Sequence, residues 1–296
     1  MPPQFIKFHG FGNDYIVIEQ KDLIHIAPSA EASKLGEFAK RICNRHYGAG
    51  SDGIAVISPA ADEHADFHVR IFNPDGSEAA LSGNGTRCAA SYLYYQDLWS
   101  AEELRLSTRS GVKLYTLREH SAPGRYVFDS ELGQPGFDSS SIPMLTGEPL
   151  EKVIDYEIDV DGAPFKVTAV QIGNPVSCIF VEDFEAQDWR KIGRTLETDR
   201  HFPDRTNVVF IRVQDRQTIE VRIWERGVGE TEASGSCSCA AAVASMINGK
   251  TERLVTVVMP GGRAKIRWQG DDDLGEVVIT GTAEVIYAGN WMAASS

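Results

Sequence analysis

The sequence predicts an α/β protein of the α+β kind, built from two pseudo-symmetric domains that arose by internal duplication. Three observations carry this expectation. A motif recurs at a fixed offset, short runs of Val, Ile and Phe read as strands, and an alanine-rich helical stretch holds the same place in each half. Val69-Arg70-Ile71-Phe72-Asn73 returns 152 residues later as Val221-Arg222-Ile223-Trp224-Glu225. At the same offset Ser82-Gly83 returns as Ser234-Gly235, and Ala89-Ala90 as Ala241-Ala242.

In the first half, Gly12-Asn13 precedes a strand-like run at Tyr15–Ile18, followed by a helical stretch over Ala30–Arg45. Asp52 then precedes the run Ile54–Ile57, and the repeated strand Val69–Asn73 leads through a Gly-containing loop to a helix over Thr86–Gln96. In the second half, Gly173-Asn174 precedes Cys178–Val181, Ala186–Thr198 reads as helix, and Asn207 precedes Val208–Ile211. The repeated strand there leads to a helix over Cys237–Asn248. The Pro- and Gly-rich stretch Pro123–Pro149 reads as a linker or irregular crossing. The expected domains are therefore 1–130 and 131–296, with residues 280–296 either packing back on the first or frayed.

Composition narrows the function. The 296 residues are 42% apolar and 24% charged, as in an ordinary globular protein. A net charge of −13 repels phosphate backbones and anionic lipid, so neither nucleic acid nor a membrane is expected as partner. No apolar run is long enough to span a bilayer, and the N-terminus lacks a secretory pattern. Five cysteines, an odd number, suit free thiols in a reducing compartment, and a cytoplasmic location is the expectation. His9, His46 and His68 show no metal-ligand spacing, no dinucleotide fingerprint is present, and neither metal nor cofactor is expected.

The repeated loops suggest a binding site. Each ends at a helix start, where unpaired N–H groups and the positive end of the dipole attract a carboxylate. Gly83, Gly85 and Gly235 would let an anion approach the backbone, with Ser82 and Ser234 just before the helices. Asn13, Asn73, Asn84, Asn174 and Asn207 fall at strand ends or in loops, where an amide can meet both amino and carboxylate groups. Arg226 can grip a carboxylate through two bonds. Asn and Gly also mark ordinary turns and caps, so the matched set argues more strongly than any one residue.

Several segments, taken together, resemble the diaminopimelate epimerase family, within the cofactor-independent amino-acid racemase superfamily. They are His9-Gly10-Phe11-Gly12-Asn13-Asp14-Tyr15, Gly48-Ala49-Gly50-Ser51-Asp52-Gly53, Phe72-Asn73-Pro74-Asp75-Gly76-Ser77-Glu78 and Gly83-Asn84-Gly85-Thr86-Arg87-Cys88. Gly173-Asn174-Pro175, Thr206-Asn207-Val208 and Glu225-Arg226-Gly227-Val228-Gly229-Glu230-Thr231 complete the set. The resemblance implies two domains, each a mostly antiparallel barrel-like sheet around a central helix. It also implies a small amino acid as partner, with a homodimer left open.

In that family two cysteines act as base and acid on opposite faces of an α-carbon and invert it without a cofactor. Their positions fall on Ser82 and Ser234, and a usual histidine falls on Val176. Glu225 remains as the assisting carboxylate, so the resemblance assigns catalysis to Ser82, Ser234 and Glu225. It assigns substrate binding to Asn13, Asn73, Gly83, Asn84, Asn174, Asn207, Arg226, Gly235 and Ser236. Three functional readings stand at this point. One is interconversion of LL- and meso-diaminopimelate, a precursor of lysine and cell wall, and a second is a relative that binds an amino acid with impaired catalysis. The third is another isomerase or lyase chemistry on the same scaffold, with Glu225 or a serine as a one-sided acid–base group. The five cysteines, Cys43, Cys88, Cys178, Cys237 and Cys239, read as buried structural thiols.

Overall fold

The computed structural model describes residues 2–26, 30–61, 63–270 and 273–292. The chain divides into two compact units, Met1–Ser130 with Gly281–Ser296, and Glu131–Thr280. The first contains β1 (Gln4–Gly10), β2 (Asn13–Glu19), α1 (Ala32–Ile42), β3 (Gly53–Pro59), β4 (Phe67–Phe72), β5 (Glu78–Ala79), α2 (Gly83–Tyr95), β6 (Glu103–Thr108), β7 (Gly111–Ala122) and most of β8 (Arg125–Gly133). The second contains β9 (Tyr156–Val160), β10 (Ala163–Ile172), β11 (Asn174–Phe180), α3 (Trp189–Glu197), β12 (Asn207–Asp215), β13 (Thr218–Glu225), β14 (Gly229–Thr231), α4 (Gly235–Ile247), β15 (Leu254–Met259), β16 (Gly262–Trp268) and the start of β17 (Val277–Asn290). From Gly281 onward, β17 belongs to the first unit.

In the first unit, eight strands close a ring in the order β1-β2-β3-β4-β6-β7-β8-β17 and back to β1. β1 with β17, β1 with β2, β3 with β4, β6 with β7 and β7 with β8 are antiparallel, while β2 with β3 and β4 with β6 are parallel. The ring closes on itself, and α2 fills its interior. Its residues Asn84–Tyr94 are all buried, and Cys88, Ala89, Ala90 and Leu93 pack against Phe8, Val17, Ile57, Ile71, Leu106 and Phe128. Small residues dominate because a helix enclosed on every side leaves little room for longer ones.

The second unit repeats the pairing scheme. β9, β10, β11, β12, β13, β15, β16 and β17 follow one another, parallel only at β11 with β12 and β13 with β15. α4 is again buried, over Cys237–Met246. Outside the sheet, α3 turns Trp189, Ile192 and Leu196 inward at the three- and four-residue spacing of an amphipathic helix.

Several element boundaries differ from the sequence expectation. Both central helices begin earlier than Thr86 and Cys237, at Gly83 and Gly235. Glycine lowers helix propensity, yet Gly85 is required inside the first turn of α2: a Cβ there would lie 2.8 Å from the Tyr15 ring and 3.0 Å from Ile71 Cδ1. The stretch Pro123–Pro149 is not a plain linker. Gly124, at φ 79°, turns the chain from β7 into β8, whose Tyr126 and Phe128 join the core. The helices Ala30–Arg45 and Ala186–Thr198 shorten to α1 and α3, the second preceded by a 3-10 turn over Phe184–Ala186. Near the C-terminus, Trp291 N–H donates to the Pro3 carbonyl at 2.8 Å and its ring packs edge-on to Phe38. Residues 293–296 of the expected returning tail lie outside the described residues.

The helix start gives a direct stability test. Gly85→Ala is expected to destabilise the protein by about 1–3 kcal/mol through overpacking against Tyr15 and Ile71. Gly83→Ala, two residues earlier, meets nothing within 4 Å and should be neutral or slightly stabilising. Urea midpoints of the two variants check this, and equal midpoints would refute the packing argument.

Candidate functional site

In the first unit, Ser82 is the N-cap of α2, and its Oγ accepts the Gly85 N–H at 3.1 Å. Its carbonyl accepts from the Thr86 N–H and hydroxyl, at 2.9 and 2.8 Å. Thr86 also shares a hydrogen bond with the Tyr115 hydroxyl. Among the described residues, no titratable side chain bonds to the Ser82 hydroxyl. Asn73, matched to Glu225 in the repeat, instead donates from its amide to Ser77 Oγ at 3.0 Å.

Asn13 and Asn84 belong to one polar chain. Asn13 Nδ2 donates to Asp52 Oδ2 at 2.9 Å, Asn84 Nδ2 donates to Asn13 Oδ1 at 3.2 Å, and Arg87 Nη1 donates to Asn84 Oδ1 at 2.9 Å. A carboxylate at one end only accepts and a guanidinium at the other only donates, so both amides have one allowed orientation. Asn84 is 5% exposed, and Gly83, its exposed neighbour, carries the free face of the helix start. Asp52 is itself held by Arg45 Nη2 at 2.7 Å, which also reaches Asp14 Oδ1 at 3.0 Å. Lys7 Nζ lies 2.7 Å from Asp14. Burial alone would raise the Asp14 carboxyl, but hydrogen bonds from Arg45, Lys7 and the Asp52 N–H hold it below the usual carboxylate range. The turn joining β1 to β2 is strained, with Phe11 at φ 56° before Gly12 at φ 83°, and Phe11 lies under the Arg87 guanidinium.

In the second unit the matched serine behaves differently. Ser234 occupies the N-cap of α4 and is 7% exposed, but its side chain makes no cap. Its hydroxyl instead donates to Glu225 Oε2 at 3.1 Å, while Thr231 donates to Oε1 at 2.8 Å. The β13–β14 hairpin produces this: pairing of Ile223 with Thr231 and Glu225 with Gly229 folds the chain back over Glu225. Burial raises the Glu225 carboxyl above its ordinary value, and the two hydroxyl donors offset only part of the shift. It is a carboxylate poised to take a proton.

Asn207, 5% exposed, accepts the Arg226 N–H on Oδ1 at 2.8 Å and donates from Nδ2 to the Pro175 carbonyl at 3.2 Å. The Arg226 guanidinium donates to the Asp204 carbonyl at 2.8 Å and reaches Asn174 Oδ1 at 3.5 Å. Gly235 and Ser236, half-buried, form the first turn of α4. Val176 is fully buried on β11 beside Asn207. Thus Asn174, Asn207 and Arg226 cluster, as do Ser234 and Glu225.

All five cysteines are buried and outside any disulfide. Burial pushes Cys43 up to about 11 and Cys88 up to about 12, and it raises Cys178 further. Cys237, one turn into α4, is raised well above an ordinary thiol by burial and the nearby Glu225 charge. Among the described residues, no group of three or more His, Cys, Asp or Glu could hold a metal, and no helix is long and apolar enough to cross a membrane. Sequence reasoning missed Asp14, Arg45, Arg87 and Lys7 as supports of Asn13 and Asn84. Thr231 stood inside a quoted motif, which was the available signal for its role.

The family model described as diaminopimelate epimerase matches residues 5–132 and 168–286. A diaminopimelate epimerase of Desulfitobacterium hafniense is 40% identical over 289 residues, covering 97% of each chain. Another, of Pelotomaculum thermopropionicum, is 38% identical and covers 97% of this chain and 98% of its own. Solved structures share the fold at low identity. A phenazine biosynthesis protein of the PhzF family from Bacillus anthracis aligns with TM-score 0.65 and 14% identity, over 99% of this chain and 100% of its own. A hydroxyproline epimerase from Agrobacterium vitis aligns with TM-score 0.64 and 14% identity, over 98% and 89%. Matched across both halves of its length, the chain belongs to the diaminopimelate epimerase family.

Proposed function

We propose that the protein is an isomerase that interconverts LL- and meso-diaminopimelate by removing and returning the α-proton. The observation that carries this reading is the half-buried Ser234–Glu225 pair at a helix start, in a chain 40% identical to a diaminopimelate epimerase along nearly its whole length. A helix start receives the α-carboxylate and disperses the negative charge that develops as the proton leaves. Glu225 is the base. The α-proton passes to Ser234 Oγ as the serine's own proton moves to the carboxylate, so no free alkoxide accumulates. Ser82 takes the second acid–base role, donating its hydroxyl proton to the carbanion as a solvent proton replaces it, and Glu225 releases its captured proton to solvent to close the cycle. Asn13, Asn73, Gly83, Asn84, Asn174, Asn207, Arg226, Gly235 and Ser236 bind the substrate's amino and carboxylate groups.

Incubation with LL- or meso-diaminopimelate in heavy water tests the reading. Solvent deuterium should enter the α-position with inversion of configuration. Binding by calorimetry without any α-exchange would overturn the catalytic reading, and absence of binding would overturn the substrate as well.

The raised carboxyl of Glu225 sets the pH dependence. The base is active when ionised, so the rate should rise with pH through a midpoint above the ordinary Glu value of 4.5. Stability has the opposite sign. The folded state favours the protonated form, so this contribution is complete below the ordinary value and is lost as pH rises through the folded one. A rate profile with its acid limb at or below 4.5 would contradict the assignment of Glu225 as base.

A further inference from the structure

Glu197 lies outside every motif that marks the site, yet several segments of the second unit converge on it. It is the last residue of α3, where the negative end of the helix dipole disfavours an acid, and it is 7% exposed. Specific partners hold it there. The Trp224 indole N–H donates to Oε2 at 2.8 Å, the Gly227 N–H to Oε1 at 2.8 Å, and Arg205 Nη1 to Oε1 at 3.2 Å. Its main-chain carbonyl accepts the N–H of Thr206, the residue before Asn207, at 3.2 Å.

Trp224 and Gly227 flank Glu225 and Arg226. The Val228 N–H donates to the Glu225 carbonyl at 3.0 Å, and Gly227 has φ 74°. Residues 225–228 therefore form a β-turn with a left-handed third residue, the type II arrangement. The type I alternative differs by a flip of the peptide between the second and third residues, and that peptide's N–H belongs to Gly227. Glu197 holds this N–H, while Asn207 Oδ1 holds the preceding one at 2.8 Å.

We propose that Glu197 is a positioning residue whose carboxylate locks the 225–228 turn and so orients Arg226 to receive a carboxylate of the amino-acid substrate. The proposal rests on the reading of Arg226 as a substrate-binding residue. An amide cannot stand in for the acid. Gln offers one acceptor oxygen where Trp224 and Gly227 address two, so one donor would face an NH2 group.

Calorimetry with meso-diaminopimelate tests this. Glu197→Gln is expected to weaken Kd by about tenfold or more, and to raise KM by a similar factor with a smaller change in kcat. Glu197→Gln combined with Arg226→Ala should bind no more weakly than Arg226→Ala alone, because both changes remove one interaction. Gly227→Ala gives a second route to the same state. Its Cβ would meet nothing within 4 Å, so packing is undisturbed, but a left-handed φ disfavours Ala. Parent-like binding by both Glu197→Gln and Gly227→Ala, or additive losses in the double variant, would overturn the proposal. If the unaltered protein fails to bind diaminopimelate, the functional reading fails, and the Gly227 amide proton decides the positioning claim. That resonance should lie downfield in the parent and move upfield in Glu197→Gln, and an unchanged resonance would overturn the lock.

Discussion

Replacing Glu225 by Gln is expected to lower kcat for diaminopimelate epimerisation by about 10²–10⁴, with KM changed by no more than about threefold. Gln has the same shape and can still accept the Thr231 hydroxyl, which lies 2.8 Å from Oε1. Its amide nitrogen, however, would donate to Ser234 Oγ where the carboxylate now accepts from it at 3.1 Å. The hydrogen bond reverses, and the serine loses the group that takes its proton. The acid limb of the pH profile should vanish with it, since burial shifts no other carboxylate bonded to Ser234. An associated asymmetry follows from Ser82, whose hydroxyl caps α2 and has no such carboxylate. Glu225 can exchange its captured proton with solvent and return deuterium to the same face. For one of the two epimers, deuterium should therefore enter residual substrate faster than product forms. A Glu225→Gln variant within tenfold of the parent kcat, or equal exchange-to-inversion ratios for both epimers, would remove Glu225 from the proton path.

Much of this architecture was legible because it depends on local chemistry. Strand-like runs such as Ile54–Ile57 and Val208–Ile211 lie within β3 and β12, and the alanine-rich segments lie within α2 and α4. The contribution of Glu225 to Ser234 was legible through the family resemblance, and the β13–β14 hairpin supplies the geometry that makes it a contact. Other features were hidden because their causes are distant in sequence. Gly85 opens a helix because Tyr15 packs against it, 70 residues away. Asp52 orients Asn13 across 39 residues and Arg45 grips Asp14 across 31, through charges that form no periodic pattern. Glu197 reads as an unremarkable acid at the end of an amphipathic helix until Trp224 and Gly227 are seen to donate to it. The two serines show the limit most clearly. They occupy the same N-cap position, yet Ser82 caps its helix while Ser234 turns its hydroxyl to the Glu225 carboxylate.

Restoring sulfur at both positions, Ser82→Cys with Ser234→Cys, is expected to raise kcat by about 10² or more. A thiol ionises near ~8.5, and at a helix N-terminus it can fall to ~3.5–7.5, whereas a hydroxyl stays protonated without an adjacent base. The gain should be greater at position 82, where the present hydroxyl has no titratable partner, than at 234, where Glu225 already assists. Stability should divide in the same unequal way. Ser82 Oγ accepts the Gly85 N–H at 3.1 Å, so Ser82→Cys weakens a cap and should cost about 0.5–2 kcal/mol. Ser234 makes no cap, so Ser234→Cys avoids that cost. Thermal midpoints of the single variants, with kcat for both singles and the double, check each part. A correctly folded double variant with no gain in kcat would mean that proton transfer here is not limited by the acidity of the two side chains. In that case the hydroxyls would be spectators, and Glu225 would have to act on the substrate directly.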